Sequence, residues 1–493
     1  MSKRIILVLI SLFVLLLVPS AFAQEADPAD KTDTEAVAVE APAETVGDGR
    51  MTKWLIFDLY SEFPYRDETY TDPESDLPVK RRVDWIGAAI ALSVNYDLMQ
   101  SSNVWIIERS NLLYKFQQLY QALNDADRDT AIQQAKLENV SLNVNEASGL
   151  NTVFNADYMI TGSFNKPDIP VVTATIEVRR ADPPFDVLAT FDFEGTYDEL
   201  PALSREISRT IMDEFGLFPR PGTEGYWSEP LTDNLEAYRW MAEAITGGHS
   251  GKMIAFFERA MEKDPNFFIT LVEFGKVLYA EKQYERAFEI LEKATDIEEG
   301  ANNQLAWLRR GNAYFNAAST IEQNIEYLSE PPEEDWELGD SSLIKNKTDA
   351  ALANEYYQKA LEYYQKSVEV DPGYVDGWIS VATTQGRLEQ PAEALDTWAK
   401  ITEITEICDE AFFQLGRAAW DNKEYDTALD YFEQTIEINP RHVQALYNGA
   451  VLANALNNND KALEILNVYF SWAPPGHNLY TRFDELFQKV ISE

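Results

Sequence analysis

Six small or apolar residues recur along the second half of this chain: Met253, Ala287, Ala360, Ala394, Ala428 and Ala462. Their intervals are 34, 73, 34, 34 and 34 residues. A separate series, Pro265, Glu299, Pro372, Glu406, Pro440 and Pro474, gives the same intervals. The first series marks where the second helix of a hairpin opens. The second marks where it stops, with proline at four of the six positions. A 34-residue helix hairpin cannot bury a core alone, so its copies must stack into an all-α solenoid. The array is expected over residues 231–475, with a capping helix at 476–493 over its exposed apolar end.

The segment Phe412 to Pro440 carries Leu415-Gly416, Tyr425, Ala428, Phe432 and Pro440. Leu271 to Ile297 carries Phe274-Gly275, Tyr284, Ala287, Leu291 and Ala294. These patterns resemble the tetratricopeptide repeat (TPR) family. The resemblance implies about six repeats whose first helices line a concave groove. Carried over position by position, it places Lys276, Tyr279, Asn312, Phe315, Asn316, Arg387, Arg417, Trp420, Tyr447 and Asn454 on that groove. Arginine forks and amides suit a carboxylate, so the implied ligand is an acidic or C-terminal segment of a partner protein. The competing reading has these cations pairing locally with Asp376, Glu410 and Asp421.

The 73-residue interval departs from the period. Trp307, Gly311 and Tyr314 mark the first helix of the third repeat, and Ala360 and Tyr364 its second. An insertion therefore lies near 317–352, with an acidic, proline-containing centre around Trp336. Its flanks are expected to extend both helices.

Ahead of the array, Lys3 and Arg4 precede an apolar run from Ile5 to Val18, and Ala21-Phe22-Ala23 offers a cleavage site. That layout predicts a signal peptide cut after Ala23 and a periplasmic or secreted protein. Residues 24–50 are acidic, without aromatics, and read as a disordered linker. Residues 51–222 read as an α/β domain. Strands are expected at Lys53 to Phe63, Val104 to Glu108 (central in its sheet) and Ala156 to Phe164. Val171 to Arg180 and Val187 to Phe193 form a hairpin. Helices are expected from Trp85 to Gln100, with one apolar face, from 112 to 123, and from Leu200 to Phe215. The succession VWIIERSNL, ADYMITGSF, VVTATIEVRRAD and LPALSREI resembles a bacterial envelope domain. It is found in curli-assembly secretion lipoproteins, flagellar outer-membrane proteins and the Tol-system propeller protein. The resemblance implies a part in envelope assembly or protein contact. The lipid-anchor cysteine of the secretion channel is missing here, which argues against a pore. Arg109 and Gly162 read as structural, the glycine as a close backbone approach. The fold class expected is α+β and multidomain: an N-terminal α/β sandwich-like domain followed by an all-α TPR solenoid.

With 83 acidic and 41 basic residues the net charge is −42. Phosphate backbones and anionic lipid are repelled by such a surface. One cysteine, Cys408, excludes internal disulfides, and His249, His442 and His477 are too scattered for a metal site. No G-x-S-x-G, H-E-x-x-H or phosphate-binding glycine loop occurs. Trp307, Trp378 and Trp398 fall at packing positions. The expected function is an exported, non-enzymatic adaptor with no cofactor. The alternative is a carbohydrate-active or peptide-processing envelope enzyme using a carboxylate pair. An acidic loop from Asp67 to Asp76 has no EF-hand spacing.

Overall fold

The computed structural model describes residues 51–61, 67–71, 78–82, 85–107, 156–165, 171–181, 185–217, 219–220, 223, 229–246, 250–329, 341–473, 477 and 479–492. The expected signal peptide and linker, Arg109, the helix at 112–123, His249 and Trp336 lie outside them.

Residues 52–196 contribute one mixed sheet. Its strands are β1 (Thr52–Ile56), β2 (Tyr60–Ser61), β5 (Val104–Ile107), β6 (Tyr158–Asn165), β7 (Val171–Arg180) and β8 (Val187–Thr196), in the order β5-β1-β6-β7-β8 with β2 beside β6. β1 runs parallel to β5 and β6, while β6, β7 and β8 are antiparallel neighbours. The run expected from Lys53 to Phe63 is broken into β1 and β2. A second hairpin, β3 (Asp67–Thr71) and β4 (Pro78–Arg82), occupies what reads as polar loop. Gly162 sits where a Cβ would come 2.3 Å from the Thr175 carbonyl on β7, which explains the glycine as a close approach.

Two expectations are corrected here. β5 is at one end of the sheet, not its centre, yet all four of its residues are buried. Its edge is covered by the helical array: Trp105 packs with Val375, Trp398 and Leu415. Helix α1 (Trp85–Leu98) is buried on every side rather than along one face. It lies between the sheet with α2 (Leu200–Phe215) and the first array helix, α3 (Leu235–Thr246). A helix apolar all round is the sequence counterpart of such a position.

The array is six helix hairpins, counted among the described residues. They are α3 with α4 (Ser250–Lys263), α5 (Phe268–Ala280) with α6 (Tyr284–Asp296), and, after a short α7 (Glu298–Ala301), α8 (Gln304–Ser329) with α9 (Ser341–Val370). Then come α10 (Val375–Arg387) with α11 (Pro391–Ile404), α12 (Asp409–Asp421) with α13 (Tyr425–Ile438), and α14 (Val443–Ala455) with α15 (Asn459–Trp472). The insertion extends both helices of the third hairpin, to 26 and 30 residues against 13 or 14 in the hairpins that follow. Within a hairpin, small residues set the approach. A Cβ on Gly416 would come 2.8 Å from the ring of Phe432, so only glycine lets that fully buried ring fill the crossing. Helix α16 (Tyr480–Ser492) caps the end: Phe483 is fully buried and stacks on Tyr469, centroids 3.6 Å apart.

One apolar core runs from the sheet into the array, through Trp54, Ile90, Ile207, Tyr238, Leu271 and Tyr364. Its polar contacts reach both the first helices of the array and the junctions between hairpins. Tyr238 Oη lies 2.8 Å from both Ser93 Oγ and Ser204 Oγ, joining α1, α2 and α3. Tyr96 Oη donates to Glu273 Oε1 (2.9 Å), Gln304 Nε2 to the Met99 carbonyl (2.7 Å), and Trp105 Nε1 to Asp376 Oδ1 (3.2 Å). The buried Arg220 guanidinium donates to the Val370 carbonyl (3.1 Å) and lies 3.5 Å from Asp371. The sheet-bearing part thus rides on the edge of the array, against its inter-hairpin turns. Among the described residues no helix is long and apolar enough to cross a membrane.

Candidate partner-binding groove

The structure divides the ten residues expected on the groove into two sets. The first lies along α5, α8 and α10 and is largely occupied with its neighbours. Lys276 Nζ is 3.6 Å from Glu273 Oε2, and half-buried Tyr279 packs against the main core. Asn312 Oδ1 accepts from Tyr364 Oη at 2.7 Å, and the Asn312 carbonyl accepts from Asn316 Nδ2 at 2.7 Å. Phe315 meets Tyr357 edge-on, and Arg387 Nη1 is 3.6 Å from Glu322 Oε2 on the extended α8. For Lys276 and Arg387 the local-pairing reading is the one realised, though with Glu273 and Glu322 as partners. Asp376 instead accepts from Trp105.

The second set is brought together at the C-terminal end. Arg417 on α12 and Tyr447 on α14 line an open groove of about 560 Å³. Its walls are these two first helices and α16. Arg417 and Asn448 continue into a smaller recess beside Trp420 and Asp421. Asn454 does not join them: it is buried and donates to Asn459 Oδ1 (3.2 Å) within its own hairpin.

Sequence reasoning missed the groove's other polar groups, Gln414, Gln444, Asn448 and Arg482. A signal was present. Gln414, Asn448 and Arg482 stand 34 residues apart, so α16 repeats the first-helix position once more. The Arg482 guanidinium lies 4.2 Å from the Tyr447 ring centroid, a cation–π contact that holds it over the groove. Arg417 Nη1 donates to Gln414 Oε1 (3.2 Å). Among the described residues neither Arg417 nor Arg482 forms an ion pair. The nearby Glu410 is otherwise engaged: it accepts from Gln414 Nε2 and lies 3.8 Å from His442 Nε2. Burial acts to raise the Glu410 pKa, but hydrogen bonds from His442 and Gln414, with the charge of Arg417 farther off, hold it below the usual carboxylate range. Two guanidinium groups, three side-chain amides and the rings of Phe413, Tyr447 and Phe483 therefore face one groove. Such a lining suits an anion on an apolar stem, because guanidinium and amide donors satisfy a carboxylate's oxygens.

Family models for the tetratricopeptide repeat match residues 413–472 and 346–374. These two segments of the array are tetratricopeptide repeats. Among curated proteins none matches the chain. Similar solved structures include YrrB, described as a TPR protein with an unusual peptide-binding site, at 24% identity, TM-score 0.30, covering 46% of this chain and 97% of that one. Pseudomonas aeruginosa pilF is 14% identical, TM-score 0.35, covering 51% and 97%. IFIT1, solved as a monomeric mutant with Gppp-AAAA, is 15% identical, TM-score 0.41, covering 60% and 63%. TPR arrays generally mediate protein–protein interaction and are typically non-enzymatic scaffolds.

Proposed function

We propose that this chain is an exported, non-enzymatic adaptor of the bacterial cell envelope, and that its C-terminal TPR groove holds an acidic or C-terminal segment of a partner protein. The observation that carries the reading is the pair of arginines, Arg417 and Arg482, facing an open groove and forming no ion pair among the described residues, in a chain of charge −42. In so acidic a molecule, guanidinium groups that face a groove beside amides and aromatic rings mark where an external carboxylate fits. Trp420 and Tyr447 would take the apolar side chains next to it.

The finer parts of the reading rest on sequence. The basic, apolar and small-residue succession ahead of Ala23 supports export to the periplasm or beyond. The VWIIERSNL and ADYMITGSF segments support an N-terminal α/β sandwich-like domain of the envelope type, followed by the solenoid.

The test is fluorescence anisotropy with peptides that end in an acidic residue and a free carboxylate, against the same peptides amidated. Binding is expected to weaken at least tenfold on amidation, in the R417A/R482A variant, and between low and high salt. Equal binding of basic peptides, or indifference to the double substitution, removes the proposal.

A further inference from the structure

β8 ends the sheet on the side away from β5. One side of it bonds to β7 along its length, and among the described residues no strand lies on the other. In an antiparallel edge strand, alternate backbone N–H and C=O groups are left pointing outward. Thr190, Asp192 and Glu194 are exposed, so among the described residues nothing covers the face of β8 that they share. Between the end of β8 and α2 lies an open groove of about 590 Å³, with Ala202 and Leu203 in its lining. Glu194 borders it from the strand, Glu199 from the turn before α2, and Glu206 and Asp213 from the helix, with Arg209 the one cation among the described residues that line it. Among the described residues Glu194, Glu206 and Asp213 form no ion pair.

Two properties select the occupant. An open edge recognises extended backbone whatever its sequence. The flanking carboxylates then decide which strand is accepted. A second copy of β8 would set Asp192 and Glu194 against identical acids, and like charges across a strand pair are destabilising. An extended segment bearing lysine or arginine meets both demands.

We propose that β8 and the α2 groove form a docking edge for an extended, basic segment of a partner protein, added to the sheet as a further strand. The proposal deepens the adaptor reading by giving it a second surface, of chemistry opposite to the arginine groove.

The test uses the full chain and a synthetic ten-residue peptide alternating lysine and valine, followed by anisotropy and amide hydrogen exchange. Binding is expected with slowed exchange over residues 187–196. It should weaken at least tenfold in the E206K/D213K variant, whose positions are both exposed, and when alternate peptide amides are N-methylated. It should not change in R417A/R482A. Binding without protection of β8, or indifferent to charge reversal and to N-methylation, overturns the proposal. So does protection of 187–196 by concentration-dependent self-association without peptide, which assigns the edge to a second copy. Because the arginine-groove variant is a separate arm, failure here and failure of the carboxylate groove are read independently.

Discussion

The two ends of the TPR array are made from the same unit and do different work. At the sheet-bearing end, hairpins from α3 to α11 have their inter-hairpin edge covered, and polar groups there are spent on fixed internal contacts such as Tyr238 with Ser93 and Ser204. At the C-terminal end, the last two hairpins and α16 hold a core of their own around Phe432, Leu446 and Tyr469, and their first helices stand open. A repeat thus acquires a binding role through what is left uncovered, since the packing residues are alike at both ends. Arg387 and Arg417 illustrate it: same residue type, one tied to Glu322 and one facing an open groove.

The comparison breaks most sharply at the covered end. The Arg205 guanidinium pairs with the Asp97 carboxylate, both buried between α1 and α2. Arg205→Ala leaves that carboxylate buried without its partner and should cost about 3–5 kcal/mol of stability. Urea unfolding measures the loss, and hydrogen exchange should place it in α1 to α5 while the α14–α16 core keeps its protection. An equal loss at both ends would mean that they fold as one cooperative block.

A smaller effect should follow pH. Burial pushes the Asp97 carboxyl up to about 6 and the neighbouring Glu299 carboxyl up to about 7. A carboxyl whose folded pKa is raised binds a proton in the folded state that the unfolded chain has already lost. Stability from this junction is therefore greatest at acidic pH and falls as pH rises from about 4 to 7, by on the order of 2 kcal/mol. Urea midpoints at pH 5.0, 6.0 and 7.5 should decline in that order. Exchange from α14 to α16, corrected for intrinsic rates, should show the opposite and weaker trend, with least protection at pH 5.0, because burial lowers the His477 pKa and its neutral ring accepts from the Leu479 N–H.

The smallest expected effect lies at the open end. Lys423 closes the α12–α13 turn at φ 67°, in the left-handed region. Lys423→Gly removes that strain and should stabilise the C-terminal hairpins by about 0.5–1 kcal/mol. Thermal unfolding checks the gain, and affinity for an acidic peptide should be unchanged because the turn is outside the groove.

The helical array was legible because its period is written twice, in the alanines that open second helices and in the prolines that end them. The left-handed turn residues Lys282, Glu389, Lys423 and Asn457 obey that period too, three of them 34 residues apart. Their types conceal it, because none is glycine. The concealed parts of the site have a common cause: they depend on contacts made over long separations. Arg482 reads as part of a cap until α16 is seen folding beside α14 as one more first helix. The covered position of β5 could not be read from an apolar tetrapeptide, since a buried edge and a central strand both exclude water. Arg387 reads as a groove cation because nothing local announces Glu322, brought to it by the lengthened α8.

That lengthening also fixes distances outside the array. Helices α8 and α9 run 13 to 17 residues beyond their neighbours, which at 1.5 Å per residue is a projection of about 20–25 Å. The paired helices are braced at their base, where Tyr357 donates to Glu322 (2.7 Å) and Leu388 packs against Ala318 and Ala353. They form a stiff outrigger on an otherwise even row. A flat surface approaching that side meets the outrigger first and is held off by roughly two helix diameters. Thin, flexible objects still reach the row behind it. The third hairpin therefore sets a minimum distance between the row and any rigid flat body on that side.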